Sequence, residues 1–261
     1  MTSSADIAEN LAYAETKIRE AAKNGATLIV TPENTCHIVM PAINKLKSAP
    51  AEADHPALLQ FKKLAKELEV WILLGSITVK VSDTKLSNRS YLFSPAGDIA
   101  AQYNKIHLFD VQLPTGEVHR ESDLIAPGDT PVVADTALGK IGMTICYDVR
   151  FAQLYRTLAK QGAQILAVPS AFTVPTGQAH WEVLLRARAI ETGSYVIAAA
   201  QTGEHMGGRK TYGHSMIISP WGEIISEAGS SPEIIYGDID LTAVDRARTA
   251  IPALQHDRLS A

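Results

Sequence analysis

Three residues in this chain could together carry acyl transfer. Each stands where an apolar run gives way to polar residues: Glu33 in "TLIVTPEN", Lys105 in "AAQYNKIH" and Cys146 in "IGMTICYDVR". A thiol attacks a carbonyl carbon well only as thiolate, and a free cysteine is mostly protonated at neutral pH. Glu33 could take that proton. Lys105, or the N-terminus of a helix starting near Arg150, could stabilise the thiolate. The tetrahedral intermediate carries an oxyanion, for which the Lys105 ammonium and the Tyr147 backbone N–H are suitable donors. Protonated Glu33 could return its proton to the leaving amine and then activate water against the thioester.

Taken singly, each residue has a plainer reading. A glutamate after a strand is usually a solvated loop residue, and a lysine usually a surface charge. A lone cysteine ending an apolar strand is usually a small core residue. The chain has only two cysteines, Cys36 and Cys146, too few for a disulfide framework. His107, His180 and His214 read as structural histidines. Neither HExxH nor CxxC occurs, and Cys36-His37 alone does not make a metal site. Spacing alone leaves the triad one reading among several.

The elements that would position these residues are legible. Ile7, Leu11, Ala14, Ile18 and Ala21 mark an amphipathic helix over 6–23, ended by Gly25. TLIV (27–30) reads as a short buried strand. A helix opens at Pro56, a strand covers 71–81, and residues 90–105 form a hairpin turning at Pro95-Ala96-Gly97. Strands are expected at 140–146, 164–171, 195–201 and 234–240. Helices are expected at 151–162 and 179–193, and a second hairpin at 213–228. Strand–helix–strand units mixed with hairpins imply a mixed sheet covered by helices, an α/β fold. In such folds chemistry gathers past the C-terminal ends of strands. Those ends are where Glu33, Lys105 and Cys146 stand.

Composition narrows the function classes. With 261 residues, 46% hydrophobic and a net charge of −4, the chain is globular and lacks the basic excess of a nucleic-acid or anionic-membrane binder. It has no apolar run long enough to span a membrane and no signal-peptide pattern at "MTSSADIAEN". It reads as a soluble, cytoplasmic protein.

The three motifs also resemble those of the nitrilase superfamily, the carbon–nitrogen hydrolases, whose members carry a Glu-Lys-Cys triad in this order. The matching words are "TPEN", "YNKIHLFDV" and "GMTICYDVRFAQLYRTLAKQGAQILAVPSAF". "GQAHWEVLLRARAIETGSYVIAAAQTGEH" and "TYGHSMIISPWGE" look most like the Nit branch of amidases. The resemblance implies a single domain over 1–261 folded as a four-layer αββα sandwich, assembled as a homodimer or larger homo-oligomer. It implies Glu33 as general base, Lys105 as oxyanion stabiliser, Cys146 as nucleophile, and Glu121 as a supporting carboxylate that orients the lysine. It implies no metal and no organic cofactor. The substrate would be a small linear amide bearing a carboxylate, of the deaminated-glutathione type, hydrolysed to acid plus ammonia. Arg150 and Arg209 are the candidate carboxylate partners, and Phe172 and Thr173 candidate pocket residues. Glu182 and Arg186, at i,i+4, read as helix support. Trp181 reads as a packing residue, with a subunit interface as one place for it.

Two departures from the family pattern bear on these expectations. Family members usually carry an apolar strand just ahead of the position of "TSS", and here Met1 stands there. Without that strand, apolar surface and strand edges would lie open. The glycine-rich loop "TGEHMGGRK" (202–210) is locally distinct, so the pocket is expected to differ from that of other members. Alternative activities are an omega-amidase, a nitrilase, an N-carbamoyl hydrolase or an acyl transferase. A non-catalytic scaffold on the same fold is the alternative of another class, against which the intact triad argues.

Overall fold

A computed structural model of the chain describes residues 1–113 and 116–258. Helix α1 (Ile7–Lys23) starts where the Asp6 carboxylate accepts from the Glu9 N–H, and it buries Leu11, Ala14, Ile18 and Ala21 at the predicted spacing. Strand β1 (Leu28–Val30) follows, then short helix α2 (Asn44–Ser48) and α3 (Pro56–Leu68). Proline suits the first turn of α3, where its missing N–H costs nothing. Strands β2 (Trp71–Lys80), β3 (Leu86–Phe93) and β4 (Ile99–Asn104) complete a sheet of order β1-β2-β3-β4. Only β1 and β2 run parallel in it.

A small hairpin, β5 (Asp110–Gln112) and β6 (Val118–Arg120), leads to the second sheet. There β7 (Val132–Thr136), β8 (Gly139–Met143), α4 (Ala152–Lys160), β9 (Ile165–Ala167), α5 (Val174–Thr192) and β10 (Tyr195–Ala198) alternate. The hairpin β11 (Thr202–Glu204) and β12 (Lys210–Tyr212) projects before β13 (Met216–Ile218) and β14 (Ile224–Glu227) close the sheet, in order β14-β13-β10-β9-β8-β7. Helix α6 (Leu241–Ala250) is last.

The two sheets face each other between helical layers. On β2, Leu73 joins Leu92, Tyr103, Met143 and Val196 in the inter-sheet core. Its neighbours Ile72 and Leu74 point the other way, into a cluster with Ile18, Phe61 and Leu64 of α1 and α3. This period-2 alternation, apolar on both faces, explains why "WILL" reads as an unbroken hydrophobic run. α4 and α5 cover the second sheet, giving the αββα sandwich.

The structure moves several boundaries. The strand predicted over 140–146 ends at Met143, although the Thr144 and Cys146 N–H groups still donate to Ala167 and Pro169 carbonyls. The strand predicted over 164–171 shortens to 165–167, and Pro169 has no N–H to give a ladder. Helix α5 begins at Val174 instead of 179, because Pro175 fits its first turn. The strand predicted at 234–240 is absent. Among the described residues, Ile234–Ile239 make no backbone–backbone hydrogen bond. Between that stretch and the open edge of β1 runs a cavity of about 950 Å³, lined by Ile18, Ala21, Ile29, Ile197 and Ile217 among others. The segment lacks the neighbour that would make it a strand. No helix among the described residues is long and apolar enough to cross a membrane.

Candidate active site

The first wall of the site is the turn after β1. A Cβ on Gly75 would lie 1.9 Å from the Thr31 carbonyl oxygen, so only glycine lets this turn press against β2. Asn34 turns the chain at φ 54°, its N–H donating to Ser76 Oγ at 3.0 Å. Gln201 Nε2 holds the Glu33 carbonyl at 3.0 Å. Glu33 is thereby fixed from both sheets. Its Oε1 accepts from Asn88 Nδ2 at 2.9 Å and from Lys105 Nζ at 3.1 Å.

The second wall is the end of β4. Gly128 is forced there too, since its Cβ would meet the Asn104 carbonyl oxygen at 2.4 Å, and its N–H donates to the Lys105 carbonyl. The Lys105 ammonium is buried between Glu33 and Glu121, reaching Glu121 Oε2 at 2.9 Å. Phe109 N–H also donates to Glu121 Oε2, at 2.7 Å, which fixes the supporting carboxylate.

The third wall carries the nucleophile. Cys146 sits past β8 at φ 52°, a left-handed conformation that strains a residue with a side chain. The strain is held by Asp148, fully buried. Its Oδ2 accepts from the Ile145 N–H at 2.9 Å and the Tyr103 hydroxyl at 2.7 Å. Its Oδ1 accepts from the His107 N–H at 3.0 Å and lies 2.8 Å from His107 Nδ1. One carboxylate thus ties the Lys105 strand end to the Cys146 turn. His107 is structural, as expected, with its ring stacked on Phe151 at 3.6 Å.

The electrostatics assign a resting state. Burial pushes the Glu33 carboxyl up, but Lys105, the Cys146 thiol and Arg209 outweigh it and hold Glu33 below the usual range. Burial works against the Lys105 charge, yet Glu121 and Glu33 hold its pKa well above the ordinary value. Burial, then the Glu33 carboxylate, push the Cys146 thiol well above its ordinary value despite Lys105. The site rests as carboxylate, ammonium and thiol. Cys36 is raised by burial alone, in the core beside α1 and away from the cluster.

The remaining predicted residues divide. Tyr147 N–H has no acceptor among the described residues and is free to donate. The Arg150 guanidinium lies over the Tyr147 ring at 5.8 Å and the Phe172 ring at 5.6 Å, with Nη2 3.3 Å from His180 Nδ1. Phe172 packs on Trp181 at 4.7 Å. The Thr173 hydroxyl is taken up by Thr176 at 2.8 Å. Arg209 Nη2 donates to the Ala171 carbonyl at 3.2 Å. Trp181 is fully buried within the chain and donates to the His214 carbonyl, so it is a core residue and not an interface one. Glu182 and Arg186 pair at 3.1 Å as expected. The sequence reading missed Asn88, Asp148 and Gln201. Asp148 and Gln201 stood inside quoted motifs without being singled out, and Asn88 carried no local signal. Among the described residues no three His, Cys, Asp or Glu side chains gather as a metal site.

Comparison with known proteins agrees with this architecture. The carbon-nitrogen hydrolase family matches residues 1–249. A deaminated glutathione amidase of Yersinia enterocolitica is 40% identical over 255 residues, covering 96% of this chain and 88% of that protein. The C. elegans NitFhit crystal structure superposes with a TM-score of 0.91 at 37% identity, over 99% of this chain but only 63% of that one. Saccharomyces cerevisiae Nit3, a nitrilase-superfamily member, gives 0.87 at 30% identity, covering 99% of this chain and 93% of its own. With its two facing sheets, strand-end Glu, Lys and Cys, and a family match along nearly its whole length, the chain belongs to the nitrilase superfamily of carbon–nitrogen hydrolases.

Proposed function

We propose that the chain, as one unit over 1–261, is a cysteine amidase of small carboxylate-bearing amides, with Glu33, Lys105 and Cys146 as its catalytic residues. The observation that carries this reading is the buried Glu33–Lys105 ion pair, tied through Asp148 to the turn that holds Cys146. As Cys146 Sγ attacks the amide carbon, Glu33 takes its proton, so a free thiolate need not accumulate. Lys105 and the Tyr147 N–H receive the oxyanion. Collapse breaks the C–N bond, and Glu33 returns the proton to the departing nitrogen. Glu33 then takes a proton from water as its oxygen attacks the thioester carbon; the C–S bond breaks, the acid is freed, and Glu33 returns the proton to Cys146 Sγ. The leaving group is ammonia for a primary amide. For a deaminated-glutathione-like substrate it is the peptide amine, so the ammonia expected from the sequence applies only to a primary amide.

The name of the Yersinia relative supports the substrate class, and the cations Arg150 and Arg209 near the nucleophile support a carboxylate. Phe172 would pack against the substrate chain. A cytoplasmic homo-oligomer is part of the same reading. Val183 and Ile190 lie on one exposed side of α5, and Ile190 abuts Gly222, next to exposed Trp221. Such a patch suits a second copy. Sedimentation of wild type and Val183→Glu/Ile190→Glu should show a dimer or larger species reduced to monomer, and a monomeric wild type would remove the oligomer.

The deciding assay measures acid and amine release from deaminated glutathione, α-ketoglutaramate, succinamate, a nitrile and an N-carbamoyl amino acid. Turnover of an acidic amide, lost at least a thousandfold in Cys146→Ala with the fold intact, is expected. Preference for the nitrile or the carbamoyl compound would move the chain to another activity of the superfamily. Undiminished turnover in the variant would end the mechanism.

A further inference from the structure

Besides Arg150, two cations stand at the site without a carboxylate partner. Lys45, on α2, donates from Nζ to Asn34 Oδ1 at 2.9 Å, one residue past Glu33. Arg209 donates to the carbonyl of Ala171, whose backbone faces the Cys146 sulfur. Among the described residues neither makes an ion pair, and Arg209 Nε is buried with no acceptor at all. The loops that carry them touch, since a Cβ on Gly207 would lie 2.6 Å from Met40 Cβ. His205 pins the base of the Arg209 loop, bonding the Ser3 carbonyl through Nδ1 and Thr211 Oγ1 through Nε2.

Building on the amidase reading, we infer that Lys45 and Arg209 form a carboxylate clamp that grips the end of the substrate remote from the scissile amide. Two partly buried cations that bear on one site repel each other unless an anion joins them. The charges felt by Lys45 are Arg209, Glu33, Glu121 and Lys105, and His37 feels Lys45 in turn. With His37 neutral, three cations face two carboxylates, an excess of one positive charge that a substrate carboxylate cancels. Arg209 offers a planar fork for the carboxylate and Lys45 a point charge that can follow it. Asn34 holds Lys45 in place without neutralising it. Burial, then Arg209, lower the Lys45 ammonium to about 8. The clamp therefore holds most of its charge at neutral pH and weakens as pH rises through that value.

The test compares succinamate with butyramide, which replaces the carboxylate by a methyl group, as a ratio of kcat/KM. Wild type should favour succinamate at pH 7 and lose much of that preference by pH 9.5. Lys45→Met and Arg209→Met should each cut the ratio at least tenfold at pH 7, chiefly through KM for succinamate. Lys45→Arg should keep the ratio and carry it to higher pH. Ratios within twofold of wild type in both methionine variants would overturn the clamp. If wild type hydrolyses neither amide, the amidase reading falls separately. Calorimetry of succinate binding to Cys146→Ala then decides the clamp, because binding must be lost when Lys45→Met is added. Equal binding, or none to either protein, overturns it.

Discussion

At the scale of single residues, the site depends on how one ammonium is shared. Lys105 balances Glu33 and Glu121, and Asn88 Nδ2 bridges the same two carboxylates, at 2.9 and 3.4 Å. An amide fits here because it donates without adding charge. Asn88→Asp would set a third carboxylate against the other two and remove a donor. Like charge raises a carboxyl pKa. Glu33 would then be protonated at higher pH, and activity would disappear on the acid side sooner than in wild type. The measurement is kcat/KM against pH for both proteins. An unmoved acid limb would show that Asn88 does not tune the base. The ring of contacts around Asp148 makes a similar point. Four nearby groups from two strand ends converge on one buried carboxylate. Asp148→Asn turns one accepting oxygen into a donor facing donors, a loss of about 1–3 kcal/mol for each buried group left unpaired. A lower Tm together with a lower kcat is expected. A drop in neither would remove it as the link between Lys105 and Cys146.

At the scale of elements, the segment from Glu33 to α3 joins the site to the helical layer. It holds two buried histidines. His55 caps α3 by accepting from the Ala57 N–H through Nδ1 at 3.3 Å, and His37 lies 3.5 Å from Ser48 Oγ. Burial, then neighbouring positive charge, lower both imidazoles to about 4. Unfolded histidine titrates near 6.5. Between these values the unfolded chain binds more protons than the folded one. Both contributions are therefore complete above about pH 6.5 and decline as pH falls toward 4. The combined loss is of the order of a few kcal/mol, or roughly 5–10 °C in Tm. Thermal melts between pH 7 and 4 test this, with His55→Asn as the control. Asparagine keeps a cap but does not titrate there, so the variant should melt with a shallower acid dependence. An identical slope would place the acid lability elsewhere.

At the scale of the whole molecule, the two sheets are not equally complete. The six-stranded sheet carries the nucleophile, while the four-stranded sheet ends at β1 beside the cavity. Residues 234–239 line that cavity and their amides have no backbone acceptor, so they should exchange with solvent far faster than those of β10, which is bonded on both sides. Hydrogen exchange resolved by peptide measures this directly. Protection of 234–239 equal to that of β10 would mean that the stretch has a bonded neighbour in solution.

The sequence by itself determined the α/β class, the order of most elements and the three residues at the strand ends. Helical and strand periodicities are local, and each end is marked by a change from apolar to polar residues, as at Val30, Asn104 and Cys146. Recognition of the triad added the αββα layering, which the two cores on either side of β2 bear out. Only the tertiary structure decided what surrounds the triad. Asn88, Asp148 and Gln201 act across more than fifty residues of chain or between sheets, and no spacing rule reaches that far. The same holds for Gly75 and Gly128, whose need for a bare Cα comes from a carbonyl on another strand. It holds as well for the failed strand at 234–240. Its pattern is apolar and extended, but a strand exists only through hydrogen bonds to a neighbour, and that neighbour is a property of the fold.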